Sequence, residues 1–186
     1  MSEEGSVIST DETLKAILDE QELEYERPRE GAYLVKLPGR HKLATMAWIM
    51  AGEHSLQVEA FFCRQPDENR EEFYRWLLGK NGGMYGVGFA LDEIGDVYLV
   101  GRLPLSAVTA KEIDRILGCV LTYSDDNFDR ALELGFAGSI RREWDWRIKR
   151  GESVANLRPF ARILPEASGE QGLPEASRCH QPGRMR

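Results

Sequence analysis

Residues 84–105 read MYGVGFALDEIGDVYLVGRLPL, and this stretch decides the fold. Tyr85, Val87, Phe89 and Leu91 alternate with Gly86, Gly88 and Ala90, a period of two that sends the large side chains to one face. Asp92 to Asp96 carries turn chemistry, with Gly95 free to take a positive φ. Val97, Leu99 and Leu103 then return on one side, with Tyr98 and Val100 on the other. The spacing predicts a β-hairpin. A hairpin alone is marginal in water, so further strands and a covering helix are required.

Upstream, three more strands are predicted. Residues 32–37 alternate Tyr33, Val35 and Leu37 with Leu34 and Lys36 between Gly31 and Pro38. Residues 42–50 are apolar on both faces, the pattern of a central strand or one covered on both sides. Residues 55–63 place Leu56, Val58, Ala60 and Phe62 inward and Gln57 and Glu59 outward. The short turns between them imply an antiparallel meander.

Helices flank these strands. Ser9-x-x-Glu12 is a capping-box pattern ahead of Leu14, Ile17 and Leu18, predicting a first helix over 11–25 with an acidic outer face. Pro66, Asp67 and Glu68 predict the start of a second helix running to about residue 78. Thr109-x-x-Glu112, with Val108 and Ile113 as a staple, opens a long amphipathic helix. Its apolar positions recur to Gly135; Asp125, Asp126 and Asn127 are the expected kink, and Gly135 or Gly138 the expected stop. The fold class is α+β: a five-stranded antiparallel sheet with helices packed on it, in the order α-β-β-β-α-β-β-α. The expected division is an N-terminus without structure over 1–8, one domain over 9–163, and a Pro-, Gly- and Ser-rich tail over 164–186 in which LPEAS occurs twice.

Composition bounds the function. The net charge is −7 over 186 residues. Residues 1–30 hold ten acids and three bases, so the first helix and its flanks account for the whole excess. That balance argues against general nucleic-acid binding at that end, and nucleic acid is not the expected partner. No apolar run suits a membrane span, and the acidic start lacks a signal-peptide n-region, so a cytoplasmic protein is expected. Three widely spaced cysteines, Cys63, Cys119 and Cys179, point neither to disulfides nor to zinc.

No catalytic, cofactor-binding or metal-ligating residue is assigned. Gly82-Gly83 and Gly86-x-Gly88 lack the Lys-Ser/Thr of a phosphate loop, and glycines that open a sheet face to a close neighbour explain them better. His41, His54 and His180 have no partner at ligand spacing. Cys63 beside Arg64 lacks an assignable base. Asp125, Asp126 and Asp129 lack the glycine and glutamate of a calcium loop.

The candidate partner-binding residues are Arg141, Arg142, Trp144, Trp146, Arg147, Lys149 and Arg150. This segment reads either as a short helix or as an extended arm. A basic aromatic surface suits an anionic small molecule or nucleic acid. Alternatively, Trp144 and Ile148 clamp the segment to the core while the arginines are solvated. A third option docks it on the acidic first helix, of the same chain or of another subunit.

The order of elements, with LPGRHKLATMAWIMAGEHSLQVEAFFCR (37–64), NREEFYRWLLGKN (69–81), residues 84–105 and REWDWRIKRGES (142–153), resembles the YbjN family of bacterial sensory transduction regulators, with a type III secretion chaperone-like fold. The resemblance covers about residues 10–160. It implies helices against one face of the sheet, no established enzymatic activity, a homodimer, and a chaperone-like or regulatory role in binding other proteins.

Overall fold

The computed structural model describes residues 4–164. Their order is α1 (Glu4–Glu20), β1 (Tyr25–Arg29), β2 (Ala32–Pro38), β3 (Ala44–Ala51), β4 (Ser55–Cys63), α2 (Arg70–Asn81), β5 (Val87–Leu91), β6 (Val97–Pro104) and α3 (Ala110–Arg150), with 3-10 segments at Leu105–Ala107 and Ala155–Ile163. The strands form one antiparallel sheet in the order β1-β2-β3-β4-β6-β5. The expected hairpin is β5–β6, and Gly95 in its turn has φ 89°.

All three helices lie on one face. Leu14, Ile17 and Leu18 of α1, Phe73 and Leu77 of α2, and Ile113, Ile116, Leu117 and Val120 of α3 share a single core. The strands meet them with Tyr33, Val35, Ala47, Ile49, Leu56, Val58 and Leu99. A β-bulge near Phe61 turns both Phe62 and Cys63 inward. The Lys42 ammonium closes the bulge, donating to the Phe61 and Phe62 carbonyls at 2.5 and 3.1 Å. Burial pushes the Lys42 amine down to about 8. The Ile116 side chain occupies the space that a Cβ at Gly86 would need, as the glycine reading anticipates.

Several expectations need correction. The sheet has six strands, not five: β1 was not foreseen, and Tyr25 begins it rather than ending a helix. The first helix starts at Glu4 and ends at Glu20, so Ser9 lies inside it, and part of the 1–8 stretch is helical. β3 is central, but only Thr45, Ala47 and Ile49 are covered; Met46, Trp48 and Met50 face away from the helices. The second helix starts at Arg70 after Asn69 (φ 51°), later than Pro66 suggests. The long helix neither kinks at 125–127 nor stops at Gly135 or Gly138: it bends at Phe136 (φ −141°, ψ 15°) and runs to Arg150. Residues 1–3 and the tail over 165–186 lie outside the described residues.

The bend has a physical cause. A Cβ at Gly135 would lie 2.8 Å from Pro66 and 3.1 Å from the Phe73 ring, so only glycine admits the loop before α2 this closely. The Gly135 carbonyl, freed by the bend, accepts from the backbone N–H of Asp67 and Glu68 at 2.9 and 3.2 Å. The Gly138 N–H donates to the Glu68 carboxylate at 2.5 Å, and the Ser139 hydroxyl to Asp67 at 2.7 Å. The restarted helix therefore has its N-terminal cap supplied from another element. The Arg64 guanidinium and then the Ser139 hydroxyl hold the Asp67 carboxyl down at about 2.

Candidate functional site

Strand pleating puts the alternate side chains on the second sheet face, and among the described residues no helix covers it. Leu34, Trp48, Glu59 and Val100 stand side by side across β2, β3, β4 and β6. Phe61 pairs with Tyr98, their rings edge to face with centroids 5.4 Å apart. Met46, Phe61 and Val100 are 38%, 42% and 37% exposed. Trp48, Met50, Leu34 and Tyr98 are half-buried. Near β1 the face deepens into a cavity of about 280 Å³, lined by Pro28, Arg29, Ala32, Trp48, Met50 and Glu59. Charge enters this apolar area at Glu59 and at Arg29 of the cavity, and the register places Lys36 opposite Met46 and Arg102 opposite Gln57 on the same face. Lys36, at the edge, is paired with Glu24.

The margins of the sheet are closed. β1 carries Pro28 and an irregular register between Glu26 and Arg29, both of which spoil a template strand. On β5 the Asn81 side chain, at the end of α2, accepts from the Phe89 N–H at 2.8 Å and donates to the Phe89 carbonyl at 3.1 Å. A side chain thus makes the two bonds that an added strand would make. Asn81→Ala is expected to free this edge and to cost about 1–3 kcal/mol from the unpaired groups. Light scattering of the folded variant at about 0.5 M salt, where charge-driven contacts are screened, should show association beyond that of the native chain; an unchanged size distribution would contradict the role given to Asn81.

The candidate segment is helical, the last part of α3, and the structure divides its residues. Trp144 packs inward with Ile140, Leu157, Phe160 and Ile163 in a second small core. Ile148 does not join it and is 56% exposed. Arg141 donates to the Ile163 carbonyl at 2.8 Å and Arg142 to the Ser139 hydroxyl at 2.8 Å. Arg147 is held by Glu143 at 2.6 Å and by the Ser153 carbonyl at 2.9 Å. Arg150 stacks on the exposed Trp146 ring at 4.6 Å, and Lys149 is exposed. An open groove of about 580 Å³ runs along Ser139, Arg142, Glu143, Trp146, Arg147 and Glu152.

The other residues weighed in the sequence have structural positions. Burial pushes the Cys63 thiol up to about 12, against the activation that Arg64 alone suggests. Asp125 is engaged by the backbone N–H groups of Arg40, His41 and Lys42, and Asp129 by His41 at 2.8 Å. Among the described residues no helix is long and apolar enough to cross a membrane. The uncovered face was missed in the sequence because alternation defines two faces without saying which one the helices choose.

Comparison with known proteins bears on the fold and the family. The chain is 49% identical over 166 residues to an uncharacterised protein of Mycobacterium tuberculosis, covering 87% of this chain and 91% of that one. An uncharacterised Mycobacterium leprae protein is 52% identical over 141 residues, covering 75% and 77%. Among solved structures, a chain of the HopA1–SchA chaperone–effector complex is similar with a TM-score of 0.50 at 12% identity, over 67% of this chain and 95% of that chain. The Yersinia pestis type III secretion chaperone SycH, crystallised with a fragment of YscM2, gives 0.47 at 17% identity, over 62% and 96%. The fold is thus the chaperone-like α+β arrangement, with a sixth strand. Residues 10–133 match the model of YbjN, described as "putative bacterial sensory transduction regulator", and the chain belongs to that family.

Proposed function

We propose that this protein is a non-enzymatic, chaperone-like or regulatory module that receives an apolar segment of another protein on the open face of its sheet. The observation that carries this is the patch formed by Trp48 and Val100, on either side of Glu59, with the neighbouring Phe61–Tyr98 pair, on a face that no helix among the described residues covers. Contiguous exposed apolar surface of this kind marks an interaction site. Trp48 beside its cavity has the character of an anchor, since interface energy concentrates in aromatic residues at pockets. Fold alone does not fix function; membership of a regulator family and a fold shared with a chain of a chaperone–effector complex support the same reading. Closed sheet margins favour recognition across the face over strand addition.

The alternative, an anionic small molecule or nucleic acid held by residues 141–150, has less support. Arg147 is already paired with Glu143, and Glu143 and Glu152 line the same groove as Arg142.

A photo-reactive phenylalanine analogue at position 48 or 61 tests the proposal. It should capture a discrete polypeptide in the native cell that the same analogue at Leu78, exposed on α2, does not. Trp48→Glu should weaken capture from position 61 at least tenfold, as expected for loss of an aromatic anchor worth about 2 kcal/mol or more. Equal capture from positions 48 and 78, or no capture from 48 and 61, would overturn it.

A further inference from the structure

Beyond the bend at Phe136 the chain is built as an appendage. Residues 137–164 lie past the residues that the family model matches. They have their own small core, separate from the one beneath the sheet. They are tied back to the preceding part of α3 through Arg162 and Glu133, and within the arm Arg141 donates to the Ile163 carbonyl.

This arm is basic. It carries seven bases against three acids. The helix dipole favours cations in a last turn, which accounts for Arg147, Lys149 and Arg150 standing there. It does not account for Arg142 or Arg158, nor for Trp146, 44% exposed beneath the Arg150 guanidinium. A tryptophan with a stacked arginine on an exposed helix face has the composition of an interface, not of ordinary solvated surface.

The complementary surface is at the other end of the same chain. Residues 10–30 hold eight acids and three bases. Glu20, Glu22, Glu26 and Glu30 are exposed at the end of α1 and along β1 and its turn. Among the described residues none of these four is in an ion pair: the acids of this region that are paired are Asp11 with Arg27, Asp19 with Lys15, and Glu24 with Lys36. The arm and this acidic surface are not joined by an ion pair within one chain among the described residues; Arg147 and Arg162 pair with Glu143 and Glu133 of α3 itself. Each surface is what the other lacks.

We infer that the arm of one copy docks on the acidic α1–β1 surface of a second copy, with Arg142, Lys149 and Arg150 facing Glu20, Glu26 and Glu30. The contact is separate from the open sheet face, and it stands or falls independently of the function proposed for that face. Its charges are exposed, so it is tuned by ionic strength.

Sedimentation velocity of the full chain tests it. Wild type should associate at low salt, about 0.02 M, and dissociate by about 0.5 M. Reversing the arm (Arg142→Glu, Lys149→Glu, Arg150→Glu) or the acidic surface (Glu20→Lys, Glu26→Lys, Glu30→Lys) should weaken self-association at least tenfold. An equimolar mixture of the two variants should associate again, because the acidic arm of one then meets the basic surface of the other and the basic arm of the second meets the acidic surface of the first. A second measurement needs no variant: carbodiimide crosslinking of a mixture of isotope-labelled and unlabelled wild type should join Lys149 of one copy to Glu20, Glu26 or Glu30 of another. A wild type monomeric at low salt, association indifferent to both reversals, a mixture that fails to recover, or crosslinks confined to single chains would each overturn the inference. If the monomeric variants still capture a partner from position 48, the reading of the open face survives that failure.

Discussion

Asp125→Ala should lower stability by about 3 kcal/mol or more, because three backbone N–H groups lose their acceptor inside the structure. Oδ1 of this buried carboxylate accepts from Arg40, His41 and Lys42, each at 2.9 Å, and clamps the turn between β2 and β3 onto α3. Immediately beside it, the buried Thr45 hydroxyl donates to that of Ser124 at 2.8 Å. At 2–4 °C per kcal/mol for a chain of this size, the melting temperature should fall by roughly 6–12 °C. Asp125→Asn, which keeps one acceptor oxygen, should fall between. The loss should also depend on pH. Burial raises the Asp125 pKa, but the N–H groups of Lys42, Arg40 and His41 outweigh burial and hold it below the ordinary carboxylate value. A depressed folded pKa means stability present above the unfolded value and lost as pH falls through the folded one. The gap between wild type and Asp125→Ala should therefore be full at neutral pH and shrink below about pH 4. His41 works in the opposite sense: Asp129 raises its pKa, so that contribution fades as pH rises through the folded value. Urea unfolding at neutral and acid pH checks both. Equal losses at pH 7 and pH 3 would show that the carboxylate charge is irrelevant to the clamp.

Phe62→Ala should cost about 3–5 kcal/mol. Phe62 is 1% exposed where the β4 bulge meets α3. Its ring lies 4.9 Å from that of Phe89 on β5 and 6.3 Å, edge on, from that of Phe128 on α3. Three elements far apart in sequence meet at this side chain, so neighbouring residues cannot close the space without moving a strand or a helix. The upper end of the range follows when a void resists collapse. Phe62→Leu, which retains much of the volume, should recover most of the loss. A similar cost for both substitutions would mean that ring geometry, not filled volume, is what this position supplies.

Local chemistry strong enough to act alone was legible in the sequence. The β5–β6 hairpin, the alternation of β4 and the Thr109 cap all rest on residues close in the chain; Thr109 accepts from the Glu112 N–H at 3.3 Å as its spacing requires. Even there, half of the capping box is redirected: the Glu112 carboxylate takes the Tyr85 hydroxyl and Arg115 instead of reaching back. What stayed hidden depends on distant partners. β1 reads YERPR, charged and proline-bearing, and becomes a strand only because β2 lies beside it. Gly135 has the look of a helix stop, yet Asp67 and Glu68, far upstream, cap the helix that resumes beyond it. Ser9 and Glu12 match a cap whose position the helix overruns. For the site, the residues of the open face on β2, β3, β4 and β6 were visible as the second half of a strand alternation, while Pro28 and Arg29 on the unforeseen β1 were not, and coverage by helices is a tertiary outcome. The basic segment was visible as composition; its division between an inward Trp144 and an outward Trp146 follows only once the segment is helical.

Asn81 and Pro28 have one more implication. A sheet whose borders are occupied by its own side chains offers no ladder for further molecules to climb. An association that does not add a strand lays surfaces together, and coming apart then leaves the ladder of the sheet intact.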